Sequence, residues 1–179
     1  MEITIKPGFE LTQEELNVIN TQRVLKFETK KIWDHAVHNY FHDWLFVLVK
    51  EGDQLKAFGD MEDVVIYFDN LSFPIIGFGG IISIEEGKGY GKALMKAMVT
   101  YSNENEETLV GFCDPKNRDF YLKSGLKVKE KGTSNFFHKN EEGKEANDTG
   151  DVIYYSQEEN EITKAIESNK KIIHLVPHW

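Results

Sequence analysis

Glu86-Gly87-Lys88-Gly89-Tyr90-Gly91-Lys92 is the stretch on which the fold turns. It follows an apolar run, Ile75 to Ile84. It precedes an amphipathic segment, Ala93 to Tyr101, in which Leu94, Ala97, Met98 and Tyr101 form an apolar stripe at helical spacing. The pattern reads strand, glycine loop, helix. Three glycines at such a junction let backbone N–H groups close around an anion. The helix start adds unpaired donors and the positive end of its dipole. That arrangement suits phosphate groups. A Gly-x-Gly-x-Gly run also describes many tight turns, so the reading needs a second motif.

The second motif is Asn117-Arg118-Asp119-Phe120-Tyr121-Leu122-Lys123-Ser124-Gly125-Leu126. With it, the chain resembles the GCN5-related N-acetyltransferase superfamily, whose members transfer acyl groups from coenzyme A. Gly89 and Gly91 match the glycines of that family's first signature, Gln/Arg-x-x-Gly-x-Gly/Ala, and Lys88 and Lys92 are typical neighbours. Phe120, Tyr121 and Gly125 match the second, with Leu126 in its final aromatic place. Glu86 departs from the pattern, because the family usually has Gln or Arg there. The resemblance spans residues 44–129. It implies an α/β (α+β) fold: a mixed, mostly antiparallel central sheet flanked by helices, with acyl-CoA at a splayed strand pair. It implies acetyl-CoA as co-substrate, no metal, and direct transfer to an amine without an acyl-enzyme. Lys88, Gly89, Gly91 and Lys92 would hold the pyrophosphate, mostly through backbone N–H groups, with Gly87 and Tyr90 in the same loop. The pantetheine arm would pair with the strand before the loop, at Ile82 and Ile84. Asn117 is a further candidate cofactor contact. Tyr121 stands where the family places the general acid that protonates the leaving thiolate.

The chemistry sets further demands. A lysine-like amine must lose a proton before it attacks, which costs about 4 to 5 kcal/mol at neutral pH. The oxyanion that follows needs donors, and backbone N–H groups at the end of the Ile75–Ile84 strand are the natural supply. Many family members carry a Glu on that strand as base; here it holds no carboxylate. Glu85 is the nearest acid, and Asp114 ends the neighbouring strand. Each also reads as an ordinary solvated loop acid, and a water relay to bulk is equally compatible. The alternative to an enzyme is a degenerate module that senses or carries acyl-CoA without turnover. Glu86 and the missing strand carboxylate speak for it, and Tyr121 speaks against it.

Trp179 ends the chain after an acidic loop, a feature shared with the aminoglycoside 2′-N-acetyltransferase branch of the same superfamily. That likeness implies Asp34, Trp179 and either Asp148 or Asp151 as contacts to a cationic substrate. Pro177-His178 stands where a third acid is expected.

Bulk properties bound these readings. The chain has 179 residues, 40% hydrophobic and 12% aromatic, enough for one domain over 1–179 with a real core. A formal charge of −9 argues against general nucleic-acid binding and favours small cationic partners. The single cysteine, Cys113, excludes an internal disulfide and reads as a small strand residue. No signal-like segment or membrane span is visible, so a cytoplasmic protein is expected. The oligomeric state, a homodimer included, is left open. His35, His38 and His42 stand at i, i+3 and i+7. They border a face made by Trp33, Val37 and Phe41 more naturally than they hold zinc.

Elsewhere, Met1–Lys6 reads as a strand. Thr12-Gln13-Glu14-Glu15 is a capping box that opens a helix, with Leu16, Ile19, Val24 and Phe27 inward. A second helix is expected over 31–40. Strands are expected at 45–49, at 55–68 with a bulge or break around Asp60–Asp63, and at 108–113, 126–128, 152–155 and 172–176. Short helices are expected at 119–124 and 158–168, and a polar loop at 140–151. Gly77, Gly79 and Gly80 are costly inside a strand and mark a close approach of backbone or ligand.

Overall fold

The computed structural model describes residues 1–29, 32–35, 41–139, 145–147 and 149–174. Two compact units are distinguished: Met1–Glu62 with Gly79–Met98, and Asp63–Phe78 with Val99–Trp179. Together their elements make a mixed α+β fold with a mostly antiparallel sheet and flanking helices.

In the first unit, β1 (Glu2–Pro7) runs antiparallel to β2 (Leu45–Glu51). β2 in turn runs antiparallel to β3 (Gln54–Phe68), with a register shift between Val49 and Lys50. The end of β4 (Leu71–Ser83) and the start of α2 (Tyr90–Glu104) complete this unit. α1 (Gln13–Phe27) begins at the capping box: Thr12 accepts from the Glu15 N–H, and Glu15 accepts from the Thr12 N–H. Leu16 and Ile19 pack with Trp33, Phe41, Phe46 and Phe58 in the core. The inward stripe stops there. Val24 and Phe27, expected to be buried, are 40% and 52% exposed. Asn20 is the last buried residue of the helix, and its amide bonds both the N–H and the C=O of Trp33 at 2.8 Å.

Glu15 does more than cap. Its carboxylate also takes Lys6 at 2.6 Å and Lys50 at 2.8 Å, tying α1 to β1 and β2. Burial alone would raise its pKa, but the hydrogen bonds from Lys50, Lys6 and the Thr12 N–H outweigh burial and bring it down to about 2. A depressed carboxylate contributes stability that is complete above its unfolded value and is lost as pH falls toward the folded one. Glu15→Gln is therefore expected to cost about 2 kcal/mol at pH 7, allowing for solvent screening. Urea melts should show that difference shrinking between pH 4.5 and about 2. A pH-independent difference would contradict the assignment.

β3 is one continuous strand, so of the bulge or break expected around Asp60–Asp63 the break does not occur. The acids there do not turn the chain, because Asp60 is tucked into the unit's interior. Across from it, Gly80 interrupts the extended geometry of β4 with φ +60°. A Cβ at Gly80 would lie 2.2 Å from the Asp60 Oδ1.

In the second unit, β3 and β4 form a hairpin through Asp69-Asn70, both left-handed (φ 52° and 61°), as a two-residue turn requires. β4 runs parallel to β5 (Leu109–Cys113) over three residue pairs, Ile76↔Leu109 to Phe78↔Gly111. α3 (Arg118–Lys123) follows β5 and stops at Gly125, φ +90°. β6 (Lys127–Lys129) and β5 both run antiparallel to β9 (Asp151–Tyr155). Two strands that the sequence did not suggest, β7 (Phe136–Lys139) and β8 (Glu145–Ala146), pair with each other. β8 lies inside the segment expected as loop. After α4 (Glu161–Glu167), β10 (Ile172–His174) lies antiparallel to β3 and parallel to β7. Ile66, Phe68, Phe136, Tyr154, Ile166 and Ile172 are central to this core.

Of the helix expected over 31–40, only 32–35 are described, and they are not helical. No helix among the described residues is long and apolar enough to cross a membrane.

Candidate active site

β4, the glycine loop and α2 are consecutive, so the loop sits where a strand hands over to a helix N-terminus. Gly87 and Gly89 take φ +73° and +83°, and space is open around the position a Cβ would fill at each. Side chains would obstruct both the conformation and the approach of a ligand. α2 carries no acidic residue in its first turn. The first N–H groups of an α-helix, here those of Tyr90, Gly91 and Lys92, lack intrahelical acceptors. Lys88 and Lys92 are exposed beside them. Tyr90 lends only its backbone, because its ring is buried and its hydroxyl donates to Glu51 at 2.7 Å. That bond, with burial, pushes the phenol up to about 12. Glu86, the departure from the family pattern, is solvent-facing with Lys26 3.5 Å away. The residues present thus fit a pyrophosphate. Ile82 has its side chain in the core. Ile84 spends its N–H on the Lys56 carbonyl, at 2.9 Å, so that N–H is not a donor for a pantetheine arm.

The two acids expected as bases are poorly suited to it. Glu85 is hydrogen-bonded by Lys56, which holds its carboxyl below the ordinary value. Asp114 accepts from the Lys116 N–H at 3.0 Å and pairs with its ammonium at 3.1 Å, which lowers it likewise. A carboxylate made more acidic is a weaker base.

The first unit holds two acids of the opposite character, which the sequence reading missed. Asp60 is 6% exposed, and burial pushes its carboxyl up to about 6 against the opposing charge of Arg23. Burial and the charge of Asp60 push Glu62 up to about 8. The alternation of β3, Phe58 in the core and Asp60 and Glu62 at the same parity, was the signal available in the sequence.

In the second unit, Tyr121 on α3 is 7% exposed, with Phe120 at 5.0 Å and Phe78 at 6.3 Å between ring centroids. Burial first, and the neighbouring Cys113 second, raise the phenol's pKa, so it stays protonated across the physiological range. Burial, with Asp151 nearby, pushes the Cys113 thiol up to about 11, which leaves it un-ionised and unsuited to act as a nucleophile. Asn117 is exposed and makes no side-chain bond to the helix it precedes.

Asp151, expected at the substrate, is fully buried. One oxygen takes Arg118 Nε and the other the Lys131 N–H, each at 2.8 Å. Its carboxylate serves the fold, anchoring α3 and the turn before β7. Asp34 is exposed. Asp148, Trp179 and His38 lie outside the described residues. His35 Nδ1 and His42 Nε2 are 3.4 Å apart. No cluster of three or more metal-ligating side chains occurs among the described residues.

No protein-family model and no curated protein matches the chain. Solved structures do. The N-acetyltransferase YlbP of Bacillus subtilis, in complex with coenzyme A, aligns with TM-score 0.52 at 15% identity, over 87% of this chain and 97% of that one. The AHL synthase LasI aligns with TM-score 0.59 at 17% identity, over 92% and 93%. A conserved protein of Enterococcus faecalis V583 aligns with TM-score 0.55 at 14% identity over 73% of this chain, which spans only 36% of that protein's length. At these identities the likeness establishes a shared fold: the chain has the architecture found in N-acetyltransferases of the GCN5-related type.

Proposed function

We propose that this protein is an acyl-CoA-dependent N-acyltransferase that moves an acetyl group from acetyl-CoA directly to a primary amine. The observation that carries the reading is the glycine loop: left-handed Gly87 and Gly89 with open space above them, at the junction of β4 and α2. The fold shared with a coenzyme A-bound N-acetyltransferase supports it. Bound acetyl-CoA supplies an activated carbonyl and a thiol leaving group.

The chain's own residues have distinct tasks. The backbone N–H groups of residues 87–92 and the ammonium groups of Lys88 and Lys92 bind phosphate charge. Tyr121, kept protonated by burial, is the proton donor to sulfur. The acceptor is taken as a small cationic amine, consistent with the net charge of −9. An aminoglycoside remains one member of that class, now without Asp151 among its contacts. A cytoplasmic location fits the same reading.

Isothermal calorimetry with coenzyme A, together with thiol release from acetyl-CoA across aminoglycosides, polyamines and lysine peptides, tests the proposal. Submicromolar to micromolar coenzyme A binding and amine-dependent thiol release are expected. No coenzyme A affinity would end the proposal, and binding without release under every amine would favour the sensor. Gly89→Val should weaken coenzyme A about 10–100-fold. A β-branched residue at φ +83° forces the loop open and crowds the anion's approach.

A further inference from the structure

Among the described residues, β1, β6 and β8 each have a neighbouring strand on one side only. Such edges expose unpaired backbone groups and are normally blunted by shortness or by charge. β6 has three residues, two of them lysine, and β8 has two residues. β1 has six, and its Ile3 is 43% exposed. Ile3 and Ile5 stand opposite Val49 and Val47, both fully buried, so they form the outer margin of an apolar row.

Hydrogen-bond alternation identifies the unused groups. The Gly8 N–H donates to the Trp44 carbonyl at 2.8 Å, one step beyond the Pro7↔Leu45 pair. Bonded residues alternate along an antiparallel ladder. Lys6, Thr4 and Glu2 therefore direct N–H and C=O toward β2, and Ile3 and Ile5 direct theirs away from it. The next outward position is Pro7, which has no N–H to offer and ends the edge there. The charges are ordered too. Glu2 lies opposite Lys50. Lys50 bonds Glu15 at 2.8 Å, and Glu15 bonds Lys6 at 2.6 Å. The row alternates in sign, negative at Glu2 and positive at Lys6, on either side of Thr4.

We propose that β1 is a self-recognition edge: it pairs antiparallel with β1 of a second copy of this chain, about a two-fold axis at Thr4. In that register Ile3 meets the partner's Ile5, and Ile5 meets the partner's Ile3. Each pair exchanges both its N–H···O=C bonds, using the groups that β2 leaves free. The apolar row continues across the junction, because cross-strand isoleucines lie side by side. Thr4 meets its own counterpart in a non-hydrogen-bonded pair, where side chains approach most closely. Glu2 meets the partner's Lys6, and the ammonium that holds Glu15 keeps further N–H donors for it. A register two residues away in either direction sets Thr4 against Glu2 or against Lys6 and loses both charge pairs. Charge order thus selects one alignment, and a second copy supplies it without any other partner. The pairing uses none of the glycine-loop residues and holds whether or not the acyl-transfer reading does.

Sedimentation velocity of the full chain, from about 1 µM to 1 mM, tests the pairing. A reversible dimer with a dissociation constant of about 1–100 µM is expected from so short a ladder. Ile3→Pro removes an outward N–H and leaves the bonds to β2 in place, so the melting temperature should hold while dimer affinity falls about tenfold or more. Glu2→Lys sets lysine against the partner's Lys6 and should weaken the dimer too, more at low salt than at high. Thr4→Cys is the test of register. Its two copies would lie about 4.5 Å apart between Cα atoms, within disulfide reach, and oxidation should give a covalent dimer. The two copies of Glu2→Cys would lie about 14 Å apart and should not cross-link. The chain's own Cys113 is buried and does not compete. A chain that stays monomeric throughout the range overturns the proposal. A dimer indifferent to both Ile3→Pro and Glu2→Lys overturns it as well, and so does equal cross-linking of the two cysteine variants. If Ile3→Pro does not fold, the contrast between Thr4→Cys and Glu2→Cys decides.

Discussion

Tyr121→Phe is expected to cut kcat for amine acetylation by about 10²–10⁴-fold while leaving the coenzyme A dissociation constant within about twofold. The substitution removes one oxygen and keeps the ring that packs against Phe78 and Phe120. Folding should therefore survive, and the loss should fall on the protonation of the departing thiolate. The buried phenol's raised pKa gives the sign of the pH effect. A phenol that ionises only above the ordinary range remains an acid throughout neutral and mildly alkaline conditions. Ionisation of Tyr121 should thus impose no fall in rate below the ordinary phenol value. The measurement is steady-state thiol release with the best amine of the panel, paired with calorimetry. An unchanged kcat would remove Tyr121 from the chemistry. Equal loss of rate and cofactor affinity would make it a binding residue.

Gly80→Val is expected to be strongly destabilising, costing about 2–4 kcal/mol. Two effects add. A β-branched residue is strained at φ +60°, and its Cβ would fall 2.2 Å from the Asp60 Oδ1. Asp60 is buried, so it has little room to swing away. Gly80→Ala separates the effects when made alone and together with Asp60→Ala. The steric part should be relieved in the double variant and appear as a coupling energy in denaturant melts. A Gly80→Ala protein as stable as the parent would show that the tight approach is not what holds the glycine here.

The parts that could be read from residues alone are those governed by local rules. Thr12 and Glu15 announce a helix start because capping needs only neighbours three residues apart. Asp69-Asn70 suits a tight turn because both residues tolerate left-handed backbone. The glycines before Tyr90 announce an anion loop for the same reason. Errors arose where distant contacts decide. Val24 and Phe27 were read with the inner face of the helix, yet its last buried residue is Asn20, clasped to Trp33. Asp60–Asp63 has a turn-like composition, yet pairing with β2 carries the strand straight through Asp60 and Met61. Asp151 looked available because nothing in its surroundings along the chain reveals that Arg118 will close on it.

The sequence by itself determined the order of strand, glycine loop and helix, because φ preference and hydrophobic period are properties of residues and their near neighbours; the fold type and the proposed cofactor were what the resemblance of its two motifs implied. Only the tertiary structure decided which carboxylates are basic. Acidity depends on desolvation and on the charges that other segments bring, so Glu85 and Asp114 were weakened by lysines, Asp151 was consumed by an arginine, and Asp60 and Glu62 were left buried.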